Sequence, residues 1–266
     1  ATLSNLSIIC KANVSPDAMN KVCSYLSDEK AVRNSKQLPF RFLAAYRELK
    51  TIDSKYTSSI LEALEDAVLV SAKNIKGFGF DTSVVIAADV SGSMQQPVSP
   101  KSKVLLYDIG LLMSMMLQSQ CKNVISGMFG DRWKRVSMPK NGILRNVDAF
   151  YKREGEVGYS TNGYLVIEDL LNRREKVDKV MLFTDTQLWD SNGGKNSFEN
   201  SWNQYKNINP NAKLYIFDLA GYGKQPLDVR KNDVYLIAGW SDKIFDVLNA
   251  LEDRKSAVEM IKKVVL

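Results

Sequence analysis

Apolar and polar positions follow two different periods along the chain, and the change falls near residue 80. Before it, apolar residues recur at helical spacing, which predicts amphipathic helices that begin near Pro16, near Pro39 and near Ser54. After it, short and mostly apolar runs rich in β-branched residues alternate with helical patterns. These runs predict buried strands at 83–89, 123–129, 179–184, 213–218 and 233–238.

The segments between the predicted strands have helical periodicity. They predict helices at 102–120, 144–152, 162–174, 197–206 and 241–263. Strands that alternate with helices form a parallel sheet with helices on both faces, and a short arm at 132–139 is expected to add an antiparallel edge. The sequence therefore predicts an α/β fold. A doubly wound, mostly parallel, Rossmann-like sheet occupies residues 80–266, and a small all-α helical segment occupies residues 1–79.

The composition is that of an ordinary globular protein, and it excludes several kinds of chemistry. No apolar stretch reaches the roughly 18 residues that a membrane span needs. Histidine is absent, which removes imidazole bases, nucleophiles paired with histidine and histidine-ligated metals. The three cysteines form no Cys-x-x-Cys motif, which is compatible with a reducing compartment, so we expect a cytoplasmic protein. The lack of a long apolar stretch predicts no membrane attachment. The net charge of +6 permits contact with nucleic acid without requiring it.

The most informative polar segment, Asp89-Val90-Ser91-Gly92-Ser93, lies where the first predicted strand ends. Carboxylate and hydroxyl oxygens are ligands that hard divalent cations prefer, and open α/β sheets bind ligands at this edge. Another buried strand ends in Asp185, and Thr161 lies in a polar loop before a helix. If the two strands are neighbours, these side chains can hold one divalent ion and leave one of its coordination positions open. The ion would be Mg²⁺, Mn²⁺ or Ca²⁺, and its ligands would be Asp89, Ser91, Ser93, Thr161 and Asp185.

Other interpretations of these residues stay open. Serine and aspartate after a strand often cap the next helix, and Asp185 would then be a turn residue. Metal-assisted phosphoester hydrolysis is conceivable, but with one metal, no histidine and no evident base we expect that the chain is not an enzyme. For RNA, basic side chains are candidate phosphate contacts, although a solvated helix face and a charge-protected edge strand are the simpler explanations for them. These candidates are Arg41, Arg47, Lys50, Arg132, Lys134 and Arg135.

The motif Asp89-x-Ser91-x-Ser93, together with Thr161 and Asp185, resembles the metal-ion-dependent adhesion site (MIDAS) of von Willebrand factor A domains. The resemblance implies that an acidic side chain of a partner protein fills the open metal position, so that binding is bridged by the metal. The threonine loop departs from the family pattern. It contains Gly158-Tyr-Ser-Thr161 in place of a tighter Gly-Gly-Thr-type turn, and we expect this change to alter the placement of Thr161.

The wider chain resembles the Ro autoantigen, or TROVE, family, in segments 38–46, 60–67, 89–94, 180–187 and 237–242. The resemblance implies a ring of helical repeats closed by an A-type domain, which binds small non-coding or misfolded RNAs. Residues 1–79 resemble the end of such a ring, so either the chain is part of a longer protein or the ring has been lost. We therefore expect a metal-dependent binding module within an RNA-binding ribonucleoprotein. The alternative is a stand-alone protein–protein adhesion or assembly module without RNA binding.

Overall fold

The structure is a computed structural model that describes residues 2–12, 14–35, 37–73, 81–100, 102, 104–185, 197–221, 231–239 and 248. The helix predicted at 241–263 lies outside these residues, apart from Leu248. Within them, no helix has the length and apolar character that crossing a membrane requires. The cytoplasmic location stays a prediction.

The first part of the chain is helical, as predicted, and contains two helices that the sequence pattern missed. The helices are α1 (Thr2–Lys11), α2 (Pro16–Ser27), α3 (Glu29–Ser35), α4 (Pro39–Leu49) and α5 (Thr57–Ala72). Both α2 and α4 start with proline at the first helical position, where its missing N–H costs nothing. The helix α3 was missed because it buries a single side chain, Val32, and so has no apolar stripe. The helix α1 does have apolar residues at helical spacing, since Leu6 and Cys10 are buried in the core, and it was overlooked.

The described residues of the second part form a six-stranded sheet in the order β3-β2-β1-β4-β5-β6. Its strands are β1 (Ser83–Asp89), β2 (Asn123–Phe129), β3 (Trp133–Arg135), β4 (Lys179–Thr184), β5 (Lys213–Asp218) and β6 (Val234–Ala238). All neighbouring pairs are parallel except β2 with β3. The predicted doubly wound α/β fold and its antiparallel edge are confirmed.

The connecting helices are α6 (Leu106–Gln120), α7 (Ile143–Tyr151), α8 (Tyr164–Arg173) and α9 (Ser197–Ile208). Helix α6 begins four residues later than the predicted start at 102. The chain before it is extended, since Pro97 and Leu105 form an isolated antiparallel bridge. The side chain of Asp108 then accepts the Leu105 N–H at 2.9 Å, which fixes the beginning of the helix.

The side chains of β1 alternate between the two faces of the sheet. Val84 and Ile86 belong to the core formed with α6, α7 and the helical segment. Val85 and Ala87 belong to the core formed with α8 and α9. The helical segment therefore packs on the outer side of α6 and α7 and shares one continuous core with them, while the division of the chain at residue 80 stays a prediction.

A buried carboxylate also joins the helical segment to the sheet domain. The first turn of α7 follows Gly142, which has a positive φ of 79° and no side chain to cap the helix. Glu65 of α5 accepts the backbone N–H groups of Leu144 and Arg145, at 3.0 and 2.7 Å. It therefore satisfies two of the free N–H groups at the start of α7, and its negative charge lies at the favourable end of the helix dipole.

Candidate metal site

Two buried carboxylates lie side by side where β1 and β4 end. Asp89 is the last residue of β1, and Asp185 directly follows β4. The strands pair in parallel, with Ala88 opposite Phe183, so their carboxyl ends meet at the same edge of the sheet. Asp89 is 1% exposed and Asp185 is 0% exposed. The neighbouring placement that the metal hypothesis required is present.

The turn after β1, residues 89–93, is organised by the Asp89 carboxylate. Its Oδ1 atom accepts the Ser91 N–H at 2.9 Å, and its Oδ2 atom accepts the hydroxyl of Thr184 at 2.6 Å. The hydroxyl oxygens of Ser91 and Ser93 are 3.1 Å apart. Ser91 is buried and Ser93 is half-buried, so the hydroxyl groups lead from the end of the strand towards the protein surface. We call residues 89–93 the metal turn.

The loop that carries Thr161 adjoins the metal turn. The N–H of Gly92 donates to the Tyr159 carbonyl at 3.2 Å. On its other side, this loop is held by Asp131, whose Oδ1 atom accepts the Ser160 N–H at 3.0 Å. Thr161 itself is buried. The structure therefore brings together the three segments that contain the predicted metal ligands.

Two glycines let the threonine loop approach the end of β2 closely. A Cβ atom on Gly158, where φ is +76°, would lie 2.0 Å from the Asp131 carboxylate. A Cβ atom on Gly130 would lie 2.2 Å from the Gly158 carbonyl oxygen. Side chains at these positions would push the loop away, so the glycines set the position of Thr161. Sequence reasoning missed Gly130, Asp131 and Thr184 as supporting residues, although Thr184 directly precedes the predicted ligand Asp185.

Burial raises the proton affinity of the Asp89 carboxylate. Burial, with the charge of Asp185 as a smaller contribution, raises the pKa of Asp89 to about 7, although hydrogen bonds from Thr184 and Ser91 act in the opposite direction. Asp185 has other contacts, but its buried Oδ2 atom accepts no hydrogen bond from the described part of the chain. A bound cation would favour the charged form of Asp89.

The donor set fits a hard divalent cation. The hydroxyl groups of Ser91 and Ser93 are within hydrogen-bond distance of each other, at 3.1 Å. Two oxygens this close can contact one ion, because an octahedral Mg²⁺ ion with ligands at about 2.1 Å places adjacent ligand atoms about 3.0 Å apart, and the more crowded ligand shell of Ca²⁺ also contains pairs about 3 Å apart. Within the described residues, no three histidine, cysteine or acidic side chains cluster as metal ligands. A metal here would therefore depend on hydroxyl oxygens as well as carboxylates.

The candidate RNA-binding residues lie on α4, just after it, and on or beside β3. Most of these side chains have intramolecular partners. Ion pairs join Arg47 to Asp108 and Asp148, Lys50 to Asp148, Lys134 to Glu156, and Arg135 to Asp169 and Glu175. Arg132 donates to the Glu156 carbonyl at 3.1 Å, and Arg41 is exposed on α4. Apart from Arg41, these basic residues contribute to tertiary structure, and the role of all six in RNA binding stays a prediction.

A doubly wound sheet with this polar turn after its first strand, packed against a helical segment, defines a protein with a von Willebrand factor A-type domain. The chain belongs to the Ro family. The family model for the Ro60 vWA domain matches residues 83–251, and the model for the TROVE domain matches residues 1–86. The predicted family resemblance is confirmed.

A solved structure supports the fold. The crystal structure of the Deinococcus radiodurans RO (RSR) protein matches with a TM-score of 0.68 and 18% sequence identity. The match covers 96% of this chain and 53% of that chain, so this sequence spans about half the length of that protein. No curated protein sequence matches the chain.

Proposed function

We propose that this chain is a divalent-metal-dependent binding module of a Ro-like protein. Its metal ligands are Asp89, Ser91, Ser93, Thr161 and Asp185. The observation that supports the proposal is that two buried carboxylates meet a pair of hydroxyl oxygens, 3.1 Å apart, at one edge of the sheet, and these are the donors that hard divalent cations prefer. The bound ion, which is Mg²⁺ or else Mn²⁺ or Ca²⁺, would supply an electrophilic position at the protein surface.

The partner at this position is a protein with an acidic side chain. Three of the proposed ligands are neutral hydroxyl groups, so the ion keeps much of its positive charge and attracts a further carboxylate. Ser93 is half-buried and Tyr159, beside the metal turn, is 51% exposed, so a partner can reach this edge. No catalytic step is assigned to the site, and the expectation that the chain is not an enzyme stays a prediction.

Replacing Ser93 by alanine tests the ligand set without removing a charge. We expect Ser93→Ala to weaken Mn²⁺ binding about tenfold in calorimetric titration, because one hydroxyl ligand is lost while both carboxylates remain. The matched control is Ser58→Ala, which removes an exposed hydroxyl from α5 and should bind Mn²⁺ like the wild type. Equal affinity in the wild type and Ser93→Ala would exclude Ser93 as a ligand.

A second proposed function is RNA binding within a ribonucleoprotein. It is supported by the TROVE match over residues 1–86 and by the net charge of +6. The RNA would be a small non-coding or misfolded RNA whose phosphates contact basic side chains. Arg41 is an exposed candidate on α4, whereas Arg47 is bound to two carboxylates.

Filter binding with a small structured RNA that has a single-stranded end tests this function. We expect retention at low salt that weakens steeply as salt increases, because counterions are released from the phosphates. Arg41→Ala should weaken binding several-fold and reduce the salt slope by about 1, whereas the control Lys30→Ala, on α3, should not. Loss of RNA retention with intact Mn²⁺ binding would instead favour the stand-alone protein–protein adhesion module.

A further inference from the structure

Arg47, near the end of α4, joins the helical segment to two helices of the sheet domain. One terminal nitrogen of its guanidinium donates to Asp108 Oδ1 at 2.7 Å, and its Nε donates to Asp148 Oδ1 at 3.1 Å. Asp108 lies in the first turn of α6, and its side chain is 0% exposed, whereas that of Arg47 is 30% exposed. Since a buried carboxylate needs a partner, Arg47 holds a position that a neutral side chain cannot replace.

Asp108 extends this contact towards the metal turn. Its second oxygen, Oδ2, accepts the Leu105 N–H at 2.9 Å. The next residue, Leu106, donates its N–H to the Gln96 carbonyl at 2.9 Å. Gln96 directly follows the 3₁₀ helix Gly92–Gln95, which contains Ser93. A short series of hydrogen bonds and chain connections therefore leads from Arg47 to the proposed metal ligands.

Packing connects the same two parts of the molecule. Met94 lies between Ser93 and Gln95 and is 0% exposed. Gly110 of α6 faces it, since a Cβ atom at Gly110 would lie 3.7 Å from the Met94 Cε atom and 3.4 Å from the Phe183 Cβ atom. Helix α6 is thus in close contact with the underside of the metal turn. A shift of α6 would move Met94, and with it the neighbouring Ser93 hydroxyl.

We infer that Arg47 is a positioning residue for the metal turn. It fixes the beginning of α6 through Asp108, and α6 fixes the turn that carries Ser91 and Ser93. This inference rests on the proposed metal site. Because coupling between two sites is reciprocal, metal binding also stabilises the packing of α4 against α6. The helical segment that matches the TROVE domain and the metal site are therefore energetically linked.

A double-mutant cycle measured by Mn²⁺ titration tests the inference. We expect Arg47→Gln and Asp108→Asn each to weaken Mn²⁺ binding about fivefold or more, the lower end of typical coupling between sites. The Mn²⁺ affinity of the double variant should be no lower than that of the single variant with the lower affinity, because both substitutions remove the same Arg47–Asp108 interaction. Arg47→Lys, whose single nitrogen reaches one carboxylate at a time, should recover part of the lost affinity.

The control is Lys206→Gln, which breaks a partly buried ion pair elsewhere in the sheet domain. Lys206 of α9 is 2.8 Å from Asp233, and its side chain is 12% exposed. This variant should lose thermal stability but keep wild-type Mn²⁺ affinity. Equal losses in Lys206→Gln and Arg47→Gln would overturn the inference, because general destabilisation would then explain both.

Hydrogen exchange of the wild-type protein gives a test that needs no variant. We expect saturating Mn²⁺ to slow exchange of the α4 backbone amides as well as those of the metal turn. Slowing confined to the metal turn, or unchanged Mn²⁺ affinity in Arg47→Gln, would overturn the role of Arg47 while leaving the metal site intact. A wild-type protein that does not bind Mn²⁺ would overturn the proposed function itself, and the inference with it.

Discussion

Replacing Asp89 by alanine is expected to abolish binding of Mg²⁺ and Mn²⁺, with a loss of affinity of about 100-fold or more. The carboxylate would supply one of the two negative charges of the site. It also organises the donors around it, because Ser91 and Thr184 both donate hydrogen bonds to it. The alanine variant therefore loses a charge and the bonds that hold the metal turn in shape. Isothermal titration calorimetry with each metal measures the loss.

Two further variants separate metal ligation from folding. Asp89→Asn keeps the size of the side chain and an oxygen acceptor, so it should fold normally and still fail to bind metal, because the charge is missing. Asp53→Ala removes an exposed carboxylate from the loop between α4 and α5 and should bind like the wild type. Calorimetric binding that is unchanged in Asp89→Ala would exclude Asp89 as a metal ligand.

The architecture was largely predictable because buried parallel strands have a simple pattern. The strands β1 and β4 are almost entirely buried, so each is a continuous apolar run that ends at a polar residue. Their bounds therefore agree with the prediction. The short helix α3 buries one side chain, and so its sequence has no period from which a helix can be predicted.

The neighbouring placement of the two proposed carboxylate ligands was predictable for the same reason, and the contacts that support the surrounding loops were not. Asp89 and Asp185 stand at the ends of apolar runs, where the sheet places ligands. The contact between Gly130 and Gly158, by contrast, joins two loops that are distant in sequence. Nothing in one sequence reports such a pair.

The role of Arg47 in the fold was also not predictable from the sequence, because its partners are distant along the chain. As a basic residue on a predicted helix, it was interpreted as a candidate for RNA binding or as part of a solvated face. In the structure it contacts Asp108 and Asp148, at distances of 61 and 101 residues along the chain. Its charge neutralises a buried carboxylate, so its residue type is explained by tertiary structure. A role in recognising RNA would come in addition to that contact.

The stability of the metal-free protein is expected to depend on pH through Asp89. Its pKa is raised from 3.8 to about 7 in the folded protein. The folded state therefore binds the proton more tightly than the unfolded state. The stabilisation is fully present below about pH 4 and is lost as the pH rises through 7. A difference of about three pH units corresponds to about 4 kcal/mol at most, because one unit is worth about 1.4 kcal/mol.

Metal should reverse this dependence, because a cation binds the deprotonated carboxylate and displaces the proton. The apparent Mn²⁺ affinity is expected to rise up to about tenfold per pH unit between pH 5 and 7, and to level off above 7. Thermal melts at pH 5, 6, 7 and 8, with and without Mn²⁺, measure both effects. Asp89→Asn is the reference, since the difference between it and the wild type isolates the contribution of this one group from those of the other carboxylates. If the melting temperatures of the wild type and of Asp89→Asn change with pH in the same way, the pKa of Asp89 is not raised in the folded protein.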